Sequence, residues 1–180
     1  MPTVVVGGNA RHVGKTSLIC GLIAAFPECP WTAIKITSHD HGKPVPVWEE
    51  TDPGQGTDTA RYLAAGAGRA LLATASDGKI PAARLRAAIA EDRWLIFETN
   101  QIQLVDEPSL VLAVVGAEKA ESKPSFAAVL RRADAIIHTG SGPTAQGGTQ
   151  PIFVLQDLQH PTPDLMAWMR TRLGLSAPVR

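Results

Sequence analysis

The chain has few of the features that mark a disulfide scaffold, a membrane protein or a nucleic-acid-binding protein. Its two cysteines, Cys20 and Cys29, favour buried, reduced thiols over a disulfide or a metal site. Seventeen basic residues balance seventeen acidic ones, so no global field attracts nucleic acid or an anionic membrane. The longest apolar run, Leu110 to Ala117, is far shorter than the ~20 residues that span a bilayer.

The composition predicts one globular domain over residues 1–180. Hydrophobic residues make up 44% of the chain, which is enough for a core, and charged residues make up only 19%. No signal peptide is expected, because Met1-Pro2 leads directly into the hydrophobic run Thr3 to Val6. We therefore expect a soluble, cytoplasmic protein with no membrane or nucleic-acid partner.

Apolar segments of strand length alternate with helical patterns along the chain. The predicted strands are Thr3 to Val6, Trp31 to Ile36, Ala70 to Thr74, Leu95 to Phe97, Leu110 to Val115, Ala135 to His138 and Ile152 to Leu155. The predicted helices are Lys15 to Phe26, Asp58 to Ala65, Ala82 to Ala90, Ser125 to Arg132 and Pro163 to Leu173. This alternation predicts an α/β fold with a mainly parallel, doubly wound sheet and helices on both faces. The polar segment Thr37 to Thr57, rich in Pro and Gly, is predicted to be a long loop.

A glycine-rich turn between the first strand and the first helix has the layout of a phosphate-binding loop. The candidate binding residues are Gly8, Asn9, Ala10, Arg11, His12, Val13, Gly14, Lys15, Thr16 and Ser17. Backbone N–H groups and the helix N-terminus would hold the phosphates, and Lys15 would reach the β- and γ-phosphates as a catalytic cation. Thr16 would offer its hydroxyl to Mg²⁺, and Ser17 would contact the α-phosphate. These residues predict a nucleoside triphosphate, GTP or ATP, with Mg²⁺.

One position departs from the usual pattern of such a loop. Asn9 stands where the loop normally has glycine, and Gly8 comes one residue too early. Asn is the residue that most readily replaces Gly where φ is positive. We therefore expect the backbone of Asn9 to lie in the left-handed region and to preserve the shape of the loop.

Two carboxylates that follow predicted strands are candidate partners of this loop. Glu98 ends an apolar strand, where a carboxylate can hold the Mg²⁺ shell or polarise attacking water, or can simply cap the strand. Asp40 follows the second strand and could hold Mg²⁺ through water. His39 and His41 flank it, so a transition-metal site and a solvated loop remain open alternatives.

Other polar residues are more ambiguous. Asp58 and Arg61 lie one helical turn apart, which fits either a functional pair or an intrahelical ion pair. Lys123 could contact a nucleotide or simply begin a helix. His138 and Thr139 lie where a base-reading loop would be expected, and Gly140 to Gly148 is a loop without a following helix.

Several of these blocks together resemble the MobB-like proteins of molybdopterin-guanine dinucleotide biosynthesis. The similarity lies in the phosphate loop, in Lys35 to Asp40, and in Asp58 to Ala67, which is similar to that family's Asp-Ser-x-Arg followed by Ala-Gly-Ala. A strand ending in Glu98 and the late Lys-Pro-Ser at Lys123 add to it. The family pattern has Gly after the acid, whereas Thr99-Asn100 follows Glu98 here.

The resemblance implies a P-loop protein that binds GTP, forms a homodimer and assists a cofactor-biosynthesis partner. From the residues alone, the leading hypothesis is a slow NTPase with Lys15 and Glu98 as catalytic residues and Thr16, Asp40 and Glu98 at the metal. A small-molecule kinase that uses ATP and a non-catalytic, nucleotide-responsive binding module remain alternatives.

Overall fold

The computed structural model describes residues 1–38, 45–75, 79–116, 124–140 and 149–176. The strands, in chain order, are β1 Thr3–Gly8, β2 Trp31–Thr37, β3 Val47–Glu50, β4 Arg69–Thr74, β5 Trp94–Glu98, β6 Leu110–Gly116, β7 Ala135–Thr139 and β8 Ile152–Leu155. The helices are α1 Lys15–Ala25, α2 Asp58–Ala64, α3 Ala82–Ala88, α4 Pro124–Arg132 and α5 Pro163–Leu173, with a 3₁₀ turn at Ile102–Leu104.

The strands form one eight-stranded sheet in the order β3-β4-β2-β5-β1-β6-β7-β8. All neighbouring strands are parallel except β3 and β4, which are antiparallel. The predicted α/β fold with a mainly parallel sheet is therefore confirmed. Because β5 lies between β1 and β2, the carboxyl ends of these three strands lie side by side at one edge of the sheet.

Helices cover both faces of the sheet and bury two apolar clusters. One cluster joins the sheet to α1, α2 and α5 through side chains such as Leu22, Tyr62 and Met169. The other joins it to α3 and α4 through Leu85 and Val129. Among the described residues, no helix combines the length and the apolar character needed to cross a bilayer.

The predicted long loop from Thr37 to Thr57 is wrong in part, because it contains the edge strand β3. This strand is short and half acidic, so it shows no apolar periodicity, and its stability comes from pairing with β4. Glu49 forms two hydrogen bonds with the Arg69 guanidinium, at 2.8 and 3.0 Å. Buried Glu50 accepts hydrogen bonds from the hydroxyls of Thr57 and Thr59. These contacts lead the chain from the sheet edge into α2.

Candidate functional site

A cavity of about 600 Å³ lies at the carboxyl ends of β1, β2 and β5. The loop before α1, the first turn of α1, the end of β2, the first turn of α2 and the segment after β5 all contribute to its lining. The predicted site residues that line it are Arg11, His12, Gly14, Lys15, Thr16, Ser17 and Glu98. Strand order thus brings Glu98 to the same cavity as a loop more than eighty positions earlier in the chain.

Helix α1 begins at the cavity with a glycine as its N-cap. Gly14 has a φ of 94°, a left-handed conformation, and it offers no side chain to the first N–H groups of the helix. Those N–H groups have no intrahelical partner, and they form the positive end of the helix dipole. The ammonium of Lys15 donates to the carbonyl of Ala10 at 3.0 Å and so folds back over the loop. Helix N-termini with free N–H groups are sites where proteins bind anions.

The other half of the loop is packed into the protein. Gly8, Asn9 and Val13 are buried and do not line the cavity. A Cβ on Gly8 would lie 2.7 Å from one methyl group of Val13, and a Cβ on Gly116 would lie 2.9 Å from the other. Val13 therefore packs closely against the ends of β1 and β6, and a side chain at Gly8 or Gly116 would force it to shift. Gly8 and Val13 could therefore affect phosphate binding only by fixing the shape of the loop.

The expectation that Asn9 adopts a left-handed conformation is wrong. Within the described residues, the non-glycine residues with positive φ are His12, at 57°, and Glu107. The N–H of Asn9 donates to the Val114 carbonyl at 3.1 Å, and its side-chain oxygen accepts from the N–H of Gly116 at 3.2 Å. Asn9 thus extends the β1–β6 pairing beyond the strand, and the left-handed turn falls three residues later.

Glu98, at the end of β5, has hydrogen-bond partners on both carboxylate oxygens. The hydroxyl of Thr16 donates to its Oε2 atom at 2.6 Å, and the hydroxyl of Tyr62 donates to the same atom. The ammonium of Lys35 lies 3.2 Å from Oε1. Glu98 therefore joins the first turn of α1 to β2 and α2.

Asp58 and Arg61 extend this polar cluster along the first turn of α2. Lys35 pairs with Asp58 as well as with Glu98. The Arg61 guanidinium lies 3.7 Å from Asp58 and donates to the Ser17 hydroxyl at 3.1 Å. Asp58 and Arg61 thus form an intrahelical ion pair and also line the cavity, while a functional role for them stays a prediction.

The charges of the cluster shift the pKa values of its members. Burial alone would lower the pKa of Lys35, but the charge of Glu98 and the contact with Asp58 outweigh it and raise that pKa. Burial alone would raise the pKa of Asp58, but Lys35, and after it Thr16 and Arg61, lower that pKa. Burial and the neighbouring Glu98 carboxylate hold the pKa of the Tyr62 phenol well above its ordinary value. Lys35 and Asp58 are therefore a charged pair, and Tyr62 is a neutral donor.

The sequence analysis gave no role to three residues of this region, Lys35, Tyr62 and Asn100. Tyr62 is completely buried and follows Asp58 by four positions, so its presence on the same helical face was a usable signal. Asn100 pairs with the backbone of Gly8 through two hydrogen bonds, each 2.8 Å long. The only sequence signal for Asn100 was a polar residue shortly after the strand-end acid.

Several other predicted residues lie elsewhere or outside the described residues. Asp40, His39, His41, Lys123 and most of the loop from Gly140 to Gly148 fall outside the described residues. His138 is buried in β7, and its Nδ1 atom has no hydrogen-bond partner in the described part of the chain. Neither His138 nor Thr139 lines the cavity. Their proposed role in base reading therefore stays a prediction.

No protein-family model matches the chain, and no curated protein matches it either. Among solved structures, it is similar to the "apo" form of LpxK from Aquifex aeolicus in complex with ATP. The two share 16% sequence identity with a TM-score of 0.56 over 86% of this chain, which spans about half of LpxK (53%). At this identity the likeness establishes the fold alone. That fold is an α/β architecture with a mainly parallel sheet, and none of these comparisons supports the resemblance to MobB-like proteins, which rests on the sequence motifs.

Proposed function

We propose that this protein binds a nucleoside triphosphate together with Mg²⁺ at the carboxyl ends of β1, β2 and β5, and slowly hydrolyses it. The observation that carries the proposal is the 2.6 Å hydrogen bond from the Thr16 hydroxyl to Glu98. It joins the residue after the loop lysine to the acid at the end of the neighbouring strand. Phosphate-binding loops use this combination to hold a nucleotide and its metal ion.

The residues present fit Mg²⁺ by the chemistry of their donor atoms. Thr16 and Glu98 offer hydroxyl and carboxylate oxygens, which a hard cation prefers. Thr16 can donate its proton to Glu98 and still present an oxygen lone pair to the ion. When bound, Mg²⁺ would neutralise the β- and γ-phosphate charges. Asp40 is a further candidate ligand that lies outside the described residues.

Each of the remaining roles belongs to a residue of the chain. The N–H groups of α1 and of the loop before it would hold the phosphate oxygens, and the Lys15 ammonium would exchange the Ala10 carbonyl for the β- and γ-phosphates. Glu98 would orient Thr16, since both of its oxygens already accept hydrogen bonds. Ser17, held by Arg61, would lie on the α-phosphate side.

The same proposal includes two more specific points, which nucleotide base is bound and which pathway the protein serves. The MobB-like motifs favour GTP and a cofactor-biosynthesis partner, with a homodimer in the cytoplasm. The likeness to a structure that contains ATP favours ATP. A thermal-shift series with ATP, GTP, CTP and UTP, each with and without Mg²⁺, decides between them, because the bound nucleotide raises the apparent stability by mass action.

A small-molecule kinase is a second candidate, favoured by the charged side chains that line the cavity beyond the loop. Lys35, Asp58 and Arg61 line the same cavity as Lys15 and Ser17, where they could grip an acceptor. The test uses nucleotide labelled in the γ-phosphate, with Lys15→Ala as the control. Phosphate release without an acceptor supports the NTPase, and label transfer that requires an added metabolite supports the kinase. Tight nucleotide binding with no hydrolysis or transfer over hours would instead indicate a non-catalytic binding module.

A further inference from the structure

Lys35 provides a cation inside the proposed metal and phosphate site. It lies in β2 in register with Glu98 of β5, so the two side chains leave the sheet on the same face. Its ammonium contacts Glu98 at 3.2 Å and also pairs with Asp58. The side chain is 19% exposed, and that of Glu98 is 7% exposed. One partly buried ammonium thus pairs with two carboxylates from different elements.

The position of this ammonium relates it directly to the proposed metal site. The carboxylate that Lys35 contacts through Oε1 accepts the Thr16 hydroxyl on its other oxygen, Oε2. The Lys35 ammonium is therefore separated from the proposed metal ligand by a single carboxylate group. Arg61 contributes its charge on the opposite side, where it joins Asp58 to Ser17.

Elementary electrostatics gives this arrangement a consequence for metal binding. Two partly buried carboxylates repel each other, and an ammonium between them weakens that repulsion. Because the Arg61 guanidinium also lies beside Asp58, two cations face the two carboxylates, and a divalent ion that enters without nucleotide meets a site whose negative charge is already compensated. A triphosphate brings new negative charge to the loop, so the ammonium gains a further possible partner and the carboxylates can turn toward the ion.

We propose that Lys35 is a tethered counterion that makes divalent-metal binding depend on the nucleotide. Without nucleotide, its ammonium pairs with Asp58 and Glu98 and keeps the divalent ion out. When the triphosphate binds, the ammonium shifts toward the terminal phosphate and leaves the carboxylates to the metal's hydration shell. Lys35 acts as a positioning residue, and this inference rests on the proposed nucleotide function.

Binding of Mn²⁺ in the absence of nucleotide tests the counterion role without any activity measurement. Electron paramagnetic resonance counts free Mn²⁺ in titrations of the wild type, Lys35→Met and, as a matched control, Lys79→Met at an exposed lysine. We expect Lys35→Met to bind Mn²⁺ at least about tenfold more tightly than the wild type, and Lys79→Met to match the wild type. Adding Glu98→Gln to Lys35→Met should abolish the gain.

Equal Mn²⁺ affinity of Lys35→Met and the wild type would overturn the inference, as would a gain that survives Glu98→Gln. Lys35→Gln, which keeps a polar side chain, provides the same comparison if the methionine variant does not fold. Circular dichroism checks the fold of each variant.

Coupling between the two ligands separates this inference from the proposed function. The Mn²⁺ titrations are repeated with a non-hydrolysable ATP or GTP analogue. In the wild type the analogue should tighten Mn²⁺ binding strongly, and in Lys35→Met the factor should shrink by about the same tenfold. If the wild type binds no analogue in the presence of a divalent ion, the proposed function fails, while the nucleotide-free titrations still decide whether Lys35 excludes the metal. An unchanged coupling factor in Lys35→Met contradicts the inference alone.

Discussion

At the scale of single residues, the site depends on how completely Glu98 is hydrogen-bonded. A nearly buried carboxylate is stable only when its lone pairs find donors, and here the donors come from three elements. Thr16 belongs to the first turn of α1, Tyr62 to α2 and Lys35 to β2. The same contacts that satisfy the charge therefore hold the three parts of the site together.

Tyr62→Phe tests this dependence because it removes one donor and keeps the ring. Tyr62 is fully buried, and its hydroxyl donates to Glu98. We expect the free energy of unfolding in urea to fall by about 1.5–3 kcal/mol, the range for hydrogen bonds to charged groups. Thr171→Ala removes a hydroxyl that donates to the Ala167 carbonyl on the exposed side of α5, and should change stability by less than about 0.5 kcal/mol. A Tyr62→Phe protein as stable as the wild type would show that the hydroxyl does not stabilise the charge.

Asn100 fixes the start of the phosphate loop through the backbone of Gly8. Asn100→Ala leaves a buried N–H and a buried carbonyl without their 2.8 Å partners. We expect a loss of about 1–3 kcal/mol of stability, and weaker nucleotide binding because the loop is less fixed. Urea unfolding and calorimetric titration measure the two effects, with exposed Gln103→Ala as the control. Stability and affinity that both stay at the wild-type level would rule out this role.

At the scale of secondary-structure elements, helix α1 is positioned by two glycines, one at its start and one in its interior. Gly14 begins it in a left-handed conformation, and Gly21 faces the segment after β8. A Cβ on Gly21 would lie 2.7 Å from the carbonyl oxygens of Leu158 and Gln159. The close approach of this segment positions the whole helix that carries Lys15 and Thr16.

Gly21→Ala therefore sets helix propensity against packing. Alanine in a helix interior is favoured over glycine by about 1 kcal/mol, but here its methyl group would overlap two backbone carbonyls that cannot simply rotate away. We expect a net loss of about 1–3 kcal/mol in urea unfolding. Gly68→Ala is the control, because its Cβ would meet only the Trp31 carbonyl at an ordinary 3.7 Å. A stabilised Gly21→Ala protein would mean that packing does not dominate at this position.

How much of the structure the sequence predicts follows from the physical origin of each element. Buried parallel strands are apolar throughout, so β1, β2 and β5 were predicted from local sequence, and Glu98 from its place at the end of one of them. The edge strand β3 is stabilised by pairing with β4 and by the Glu49–Arg69 contact, neither of which leaves a periodic pattern. The contacts of Lys35 depend on strand order, which no local pattern contains.

At the scale of the whole molecule, charge pairs make the stability depend on pH. The pKa of Asp58 is lowered chiefly by Lys35 against the effect of burial, and the pKa of Glu49 is lowered chiefly by its hydrogen bonds with Arg69. A carboxylate with a lowered pKa contributes stability above its ordinary pKa and loses that contribution as pH falls through the lowered value. Lys35, with a raised pKa, contributes below its ordinary pKa and loses that contribution at strongly alkaline pH.

The free energy of unfolding should therefore fall as pH drops from about 5 to 3. Asp58→Asn removes one titrating group of the cluster, so its stability should change less steeply over the same interval. Urea unfolding at half-unit steps of pH measures both slopes. Identical slopes for Asp58→Asn and the wild type would show that the Lys35–Asp58 pair does not contribute to the acid sensitivity.

The central claim is that the turn before α1 is a phosphate site, and calorimetric titration of Mg²⁺ with ATP or GTP tests it most directly. Lys15→Ala removes the cation that would bind the β- and γ-phosphates and leaves the helix terminus in place. We predict that the wild type binds at least one of the two nucleotides and that Lys15→Ala binds it at least about tenfold more weakly, since a charged hydrogen bond contributes ~1.5–3 kcal/mol. A wild type that binds neither nucleotide, or a Lys15→Ala protein within about twofold of the wild-type affinity, would contradict the claim.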